Sequence, residues 1–363
     1  MSAIKVNKGE WSEFYTLLKI LDEQKLYAAD ENLEKLKDIF YPVLKVITAK
    51  DSDKELSYEI DGSDDIKFIN PKTSSVTLVK KSAIRERVAQ IFEAIKAGDT
   101  ASFEIPIAEK ILNDLGRPVI KGYSTRKSDI VLVIHDIRTG INPEVGFSIK
   151  SQLGGASTLL NSGEATNFIY EIENFSGDPG KINSIDSSSK VRDRIKAIFD
   201  SGASLKFVGV ASEVFSENLT KIDSLLPALV AEMLVVYYKG EANLIPEIDK
   251  KLEAGGFSLI PGFSPKPGFY EFKIKHFLMN TALGLTPARP WDGLLEANGG
   301  YIVVREDGEI VCYHVYNQDA FRDYLYAHTR LETPSTSRYG FGSIYQEKGK
   351  YFIKLNLQVR FTD

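Results

Sequence analysis

A mixed α/β fold is predicted by three features of the sequence. Apolar residues at helical spacing open the chain (Trp11, Phe14, Leu18 and Leu21), and strand-like segments crowd residues 116–212. Period-two alternation then closes the chain in KYFIKLNLQVRF. With 363 residues, 43% of them apolar and 26% charged, the chain can form one large domain or two to three smaller ones, each with a core.

Residues 9–22, GEWSEFYTLLKILD, predict an amphipathic helix with Glu10 and Glu13 as neighbours on its flank. The next stretch, KLYAADENLEKLKDIFYPVLKVI, predicts a second helix followed by a strand ending near Ile47. Residues 51–81 have a β flavour, with turn signals at Asp61-Gly62 and Asn70-Pro71. Helical periodicity returns over 82–97, and another helix is predicted over 106–115, stopped by Gly116.

Strands are predicted at 129–136, 144–150, 166–173 and 205–211, with a helix over 189–201 before the last. Helices follow at 216–239, 245–255 and 268–283, the last after the proline- and glycine-rich PGFSPKPG. Strands at 300–304, 309–316 and 350–361 complete the pattern. We divide the chain at 1–115, 116–265 and 266–363.

Composition removes several function classes. The single cysteine, Cys312, excludes an intramolecular disulfide framework and a multi-cysteine zinc site, and it fits a reducing cytoplasm. The start, MSAIKVNKGEW, has no apolar core of signal-peptide length, and no run approaches a membrane span. A net charge of −5 argues against coating nucleic acid by bulk electrostatics, yet allows a basic cleft on an otherwise acidic surface. The four histidines have no ligand spacing, and no Walker loop, dinucleotide fingerprint or serine nucleophile elbow is present.

The chemistry concentrates in SDIVLVIHD and EVGFSIKSQLGG. Asp129 stands at the mouth of the first strand, and Lys150 ends the second on the face that carries Ser148. The hairpin loop is expected around residues 139–143. A carboxylate and a lysine on adjacent strands can hold a divalent metal beside a phosphate, the acid binding Mg²⁺ and the lysine orienting water. That is the geometry of a metal-dependent nuclease. The plainer reading, the usual one for such a segment, is that Asp129 is a strand-end acid capping a turn or pairing with Arg126 or Lys127.

A second acid must come from elsewhere: Glu164, Glu10 or Glu13 on the first helix, or Glu171 or Glu173 on the next strand. The polar, glycine-rich SQLGGASTLLNSGEATNF offers Ser151, Gln152, Asn161 and Asn167 to phosphates or base edges, or is an ordinary surface loop. Basic groups at Arg126 and Lys127, and at Arg330 and Arg338, suit phosphate contacts, whereas the 190–196 run reads as a solvated helix face. In TRLETPSTSRYGFG, Ser337 beside Arg338 suits phosphate clamping or arginine recognition of guanine N7 and O6.

NKGEWSEFYTLLKIL and LYAADENL, then GFSIKSQLGG with TLLN and TNF, then TPSTSRYGFGSIYQEKGKYFIKLNLQVRF together resemble the HpaII-type type II restriction endonucleases. The likeness runs in order through most of the chain and is weakest over 50–80 and 175–265. It implies a PD-(D/E)xK restriction-endonuclease-like core over 116–265. Residues 1–115 would be a helical and β region contributing to the cleft, and 266–363 an α+β recognition region.

Asp129 matches the superfamily's metal-binding aspartate and Lys150 its catalytic lysine, with serine at 128 where proline is common. Ser148 stands where a second acid is common, and Glu164 falls where the NgoMIV-like enzymes carry a displaced acid. A helical glutamate near the metal is also common in the superfamily, which keeps Glu13 and Glu10 open.

The resemblance implies Mg²⁺-dependent cleavage of double-stranded DNA at a short, CCGG-like palindrome, leaving 5′-phosphates. It further implies a cognate DNA methyltransferase as functional partner. A palindromic target suggests a twofold homodimer, although some monomers cut palindromes in successive steps. The rival readings are a DNA-binding protein that has lost cleavage on the same fold, favoured by Ser148, and a structure-directed repair nuclease.

Overall fold

A computed structural model describes residues 4–48, 56–69, 75–115, 128–137 and 139–362. The fold is mixed α+β and divides into two compact units, each built from separate stretches of chain. The first comprises the described residues of Met1–Ser157 together with Leu295–Phe321, and the second Thr158–Leu294 with Arg322–Thr362.

The first unit starts with β1 (Lys5–Val6), α1 (Lys8–Glu23), β2 (Lys25–Ala29), β3 (Lys35–Thr48), β4 (Leu56–Glu59), β5 (Asp65–Ile69) and β6 (Val76–Lys80). It continues with α2 (Lys81–Ala97), β7 (Phe103–Glu104), α3 (Pro106–Asp114), β8 (Ile130–Ile134) and β9 (Glu144–Ser151). The chain then enters the second unit through β10 (Thr158–Leu160), a 3-10 turn at Glu164–Thr166, β11 (Asn167–Glu173), α4 (Pro179–Asn183) and α5 (Lys190–Asp200). There follow β12 (Ser204–Val210), α6 (Glu213–Ile222), α7 (Leu226–Tyr238), α8 (Ile245–Ala254) and α9 (Phe269–Leu283). It returns to the first unit for β13 (Gly300–Val304) and β14 (Ile310–His314). After α10 (Gln318–Ala327), β15 (Thr329–Leu331), β16 (Ile344–Glu347), β17 (Lys350–Asn356) and β18 (Val359–Phe361) complete the second.

Among the described residues, nine strands of the first unit pair in the order β2-β14-β13-β9-β8-β3-β4-β5-β6. Because β2 also pairs with β3, with Leu26 opposite Tyr41, the run from β2 to β3 is a closed circuit of six strands. The parallel pairs β13–β9 and β14–β2 need crossovers, and the excursion into the second unit lies within the one from β9 to β13.

Helix α1 begins with a capping box: Asn7 Oδ1 accepts from the Glu10 N–H, and the Glu10 carboxylate accepts from the Asn7 N–H, both at 2.9 Å. Trp11, Phe14, Leu18 and Leu21 are buried on it as the periodicity predicts. They join Ile91 of α2, Val46 of β3, Leu132 of β8, Phe147 of β9 and Ile302 of β13 in one apolar core.

The second unit carries an antiparallel sheet β12-β11-β17-β16 and a smaller one, β10-β18-β15. Helix α7 is buried nearly all round (Leu229, Val230, Met233, Leu234, Tyr237 and Tyr238), which its uniformly apolar sequence requires.

Several element expectations are corrected. The helix expected after Lys25 is instead β2, a turn and the long β3. Asp30 Oδ1 accepts from the N–H groups of Asn32 and Glu34, both at 2.9 Å, and this local turn breaks the helical spacing. The helix expected over 216–239 splits into α6 and α7, because Asp223 is extended and Pro227 starts a new first turn. The terminal strand splits into β17 and β18, and the sequence pattern did not predict α10.

Packing also groups the chain differently from the division at 115 and 265, since β9 pairs with β13 and α1 packs on the core that contains β9.

Candidate active site

Strands β8 and β9 form an antiparallel pair with Ile130 opposite Phe147. Asp129 extends this ladder by one residue, its N–H donating to the Phe147 carbonyl at 2.8 Å. Its Oδ2 accepts from the Ile149 N–H at 2.7 Å and from Ser148 Oγ at 3.1 Å. Strand alternation sends Phe147 and Ile149 into the apolar core and puts Ser148 and Lys150 on the opposite face. On that face Lys150 Nζ lies 5.6 Å from the centre of the Tyr301 ring, and Tyr301 stands beside Ser148 in the parallel β13. The carboxylate, the hydroxyl and the ammonium therefore share one patch of sheet.

Close packing holds this corner. A Cβ on Gly146 would lie 2.8 Å from Ser128 Cβ and 3.2 Å from the Glu296 carbonyl oxygen, so only glycine fits without a shift. The Gly146 N–H donates to Asn298 Oδ1 at 2.8 Å, and the Gly299 N–H donates to the Gly146 carbonyl at 2.7 Å. Sequence reasoning missed Gly146, Asn298 and Tyr301 as neighbours of Asp129. The Asn298-Gly299-Gly300 run before a strand was the available signal.

The other residues singled out in the sequence have different surroundings. Glu10 serves the capping box of α1, and Glu13 sits on α1 beside Ser12, whose Oγ donates to Ser151 Oγ at 2.8 Å. Gln152 is exposed, and its N–H donates to the Val304 carbonyl at 2.9 Å. Glu164 and Asn161 are exposed residues of the second unit. Glu171 pairs with Lys350 at 2.7 Å and Glu173 with Lys206 at 3.2 Å.

Asn167 is corrected as a DNA-facing candidate. Only 2% exposed, it donates to the Tyr339 carbonyl and accepts from Asn356, both at 2.7 Å, inside the second unit. Arg330 pairs with Glu332 at 3.2 Å. Ser337 and Arg338 are exposed on one loop, where Ser337 Oγ lies 3.1 Å from Ser335 Oγ. Arg126 and Lys127 lie outside the described residues.

No three His, Cys, Asp or Glu side chains converge on a metal position among the described residues. The corner at Asp129 offers a carboxylate and a hydroxyl, both hard oxygen donors. Mg²⁺ suits such a set, because it commonly takes one or two carboxylates and completes its shell with water and substrate phosphate. The residues fit that ion better than zinc.

An acid and a lysine on one face of adjoining strands can hold a cation and an attacking water at an anionic ester. Comparison with known proteins gives the family. The family model described as HpaII restriction endonuclease matches residues 7–361. The type II restriction enzyme HpaII of Haemophilus parainfluenzae is 42% identical over 356 residues, covering 98% of each chain. No solved structure matches. The chain belongs to the HpaII restriction endonuclease family and is a type II restriction endonuclease, a DNA-binding site-specific deoxyribonuclease. No helix of the described residues is long and apolar enough to cross a membrane.

Proposed function

We propose that this endonuclease hydrolyses both strands of duplex DNA at a short, CCGG-like palindrome with Mg²⁺ as cofactor, leaving 5′-phosphates. The shared face of Asp129, Ser148 and Lys150, in a chain of this family, is the observation that carries the assignment of the centre. Asp129 and one of Glu164, Glu13 and Glu10 would hold the ion. The ion, when bound, supplies Lewis acidity and lowers the pKa of a coordinated water.

The chain's own residues do the rest. Ser148 Oγ and the Ile149 N–H fix the plane of the Asp129 carboxylate through its Oδ2. Lys150 positions the attacking water and stabilises the negative charge that grows on the phosphorane oxygens. Water forms the new P–O bond, the P–O3′ bond breaks, and the departing 3′ oxygen takes up a proton. In PD-(D/E)xK terms, Ser148 occupies the seat of the second acid and keeps the first one oriented.

Arg338 and Ser337 would meet the DNA, Arg338 reading guanine through N7 and O6. Arg330, Ser151, Gln152, Asn161, Arg126 and Lys127 would contact its phosphates. In this reading the first unit carries the catalytic centre, and the loop of Ser337 and Arg338 in the second unit carries recognition. A palindromic target favours a homodimer, a cognate methyltransferase protects the host sequence, and the reducing cytoplasm is the working compartment.

Lys150→Ala and Asp129→Ala are each expected to abolish plasmid cleavage in Mg²⁺ while duplex binding, read by mobility shift, stays within a few-fold. Full cleavage by either variant overturns the assigned centre.

A further inference from the structure

We propose that the second unit grips a DNA backbone phosphate in the cavity at the start of α5, with Arg192 as the cationic anchor. The cavity has a volume of about 260 Å³, and four hydroxyl residues line it: Ser188, Ser189, Thr333 and Thr336. Arg192 and Tyr237 supply the remaining wall that matters here.

The charges decide the kind of ligand. Lys190 is paired with Asp186 at 2.8 Å, and Glu332 is paired with Arg360 at 2.7 Å and Arg330 at 3.2 Å. Arg192 makes no ion pair among the described residues. Its guanidinium carbon lies 4.5 Å from the centre of the Tyr237 ring. That ring is 4% exposed, and its hydroxyl shares a 2.9 Å hydrogen bond with Thr333 Oγ1. The guanidinium thus lies over a fixed aromatic ring, with its N–H donors left for an acceptor.

Among the charged groups lining the cavity, Arg192 alone lacks a counter-ion. A tetrahedral oxyanion suits it, because such a group accepts at once from a guanidinium, from hydroxyls and from main-chain N–H groups. Helix α5 adds to the fit in that its N-cap residue, Ser189, makes no side-chain capping bond, while Asp193 of its first turn is occupied by the Ser187 hydroxyl.

In a restriction endonuclease the oxyanion at hand is the DNA phosphodiester. Thr333 and Thr336 belong to the same loop as Ser337 and Arg338, so the inference rests on the reading that this loop faces DNA. A phosphate held here would set the register from which Arg338 reaches a base.

The test is equilibrium binding of the full chain, by fluorescence anisotropy in EDTA, to two labelled duplexes, one with CCGG and one without, over a series of salt concentrations. Arg192→Ala is expected to weaken binding to both duplexes by the same factor, roughly five- to ten-fold near 0.1 M salt, and to reduce the log–log salt slope by about one. Thr336→Glu, which leaves the arginine on its tyrosine, is expected to act in the same direction, and Arg192→Lys to keep most of the slope.

Unchanged affinity and slope in Arg192→Ala and Thr336→Glu, with normal binding by the parent, overturns this site alone. A parent that binds neither duplex overturns the DNA-facing loop as well. Loss confined to the CCGG duplex makes Arg192 a base reader and refutes the phosphate grip. Inorganic phosphate is titrated in parallel by calorimetry: binding that depends on Arg192, with no variant altering DNA affinity, assigns the cavity to a free anion and also refutes it.

Discussion

Three glutamates are candidates to complete the proposed metal site, and their surroundings already set one apart. Glu10 is committed to the Asn7 capping box, so Glu10→Ala is expected to cost about 1 kcal/mol of stability, read by urea denaturation. Glu13 and Glu164 are distinguished by replacing each with alanine and assaying cleavage over a range of Mg²⁺. The ligand is the one whose loss of activity is partly restored by raised Mg²⁺; if neither variant loses activity, both drop out of the site. The closeness of Asp129, Ser148 and Lys150 is legible in the sequence, because a short loop and strand alternation place three nearby residues on one face. Tyr301 and Asn298 are not legible in that way. They reach the same corner from about 150 residues further along, and no local pattern encodes a parallel pairing of that span.

Helices α8 and α10 meet through an ionisable pair. Tyr326 donates to Asp249 Oδ2 at 2.7 Å, and Asp249 is 2% exposed with its other oxygen lacking a hydrogen-bond donor. Burial pushes the Asp249 carboxyl up to about 6, against a partly offsetting effect of the Tyr326 hydrogen bond. The folded protein therefore binds a proton here that the unfolded chain, with its ordinary lower value, has already lost. This contribution is fully present below about pH 4 and falls away as pH rises through 6, by about 2–3 kcal/mol. Asp249→Asn is expected to flatten that part of the stability–pH curve in denaturant titrations between pH 4 and 7, and an unaltered slope would remove Asp249 as its source.

At this scale the sequence speaks clearly where apolar spacing is strong and unbroken, as in α1 and α2. It misleads where a single side chain redirects the backbone, as Asp30 does before β3. It is silent on α10, a ten-residue helix that follows directly on a 3-10 turn.

The first unit is incomplete in a chain cut before its return from the second. A fragment ending at residue 294 keeps α1, β8 and β9 but loses β13 and β14, and with them Ile302, Val304, Ile310 and Cys312 of the core. Each large apolar side chain removed forfeits about 1.5–3 kcal/mol, so the total rivals the 5–15 kcal/mol that typically holds a domain together. Fragment 1–294 carrying Trp291→Phe, which leaves Trp11 as its one tryptophan, is expected to lack the cooperative urea transition of the first unit in tryptophan fluorescence; a native-like midpoint, measured against the full chain with the same substitution, would show that β13 and β14 are dispensable. The two-unit arrangement is also the part of the fold least visible beforehand, because composition shifts mark segments along the chain whereas packing joins its distant ends. That joining has a consequence during synthesis. The lysine strand must wait for a companion translated well over a hundred codons later, so, if the proposed centre is the cutting edge, a nascent polypeptide leaves the ribosome tunnel with it unassembled, and a host genome within reach meets the scissors only when the protein is nearly finished.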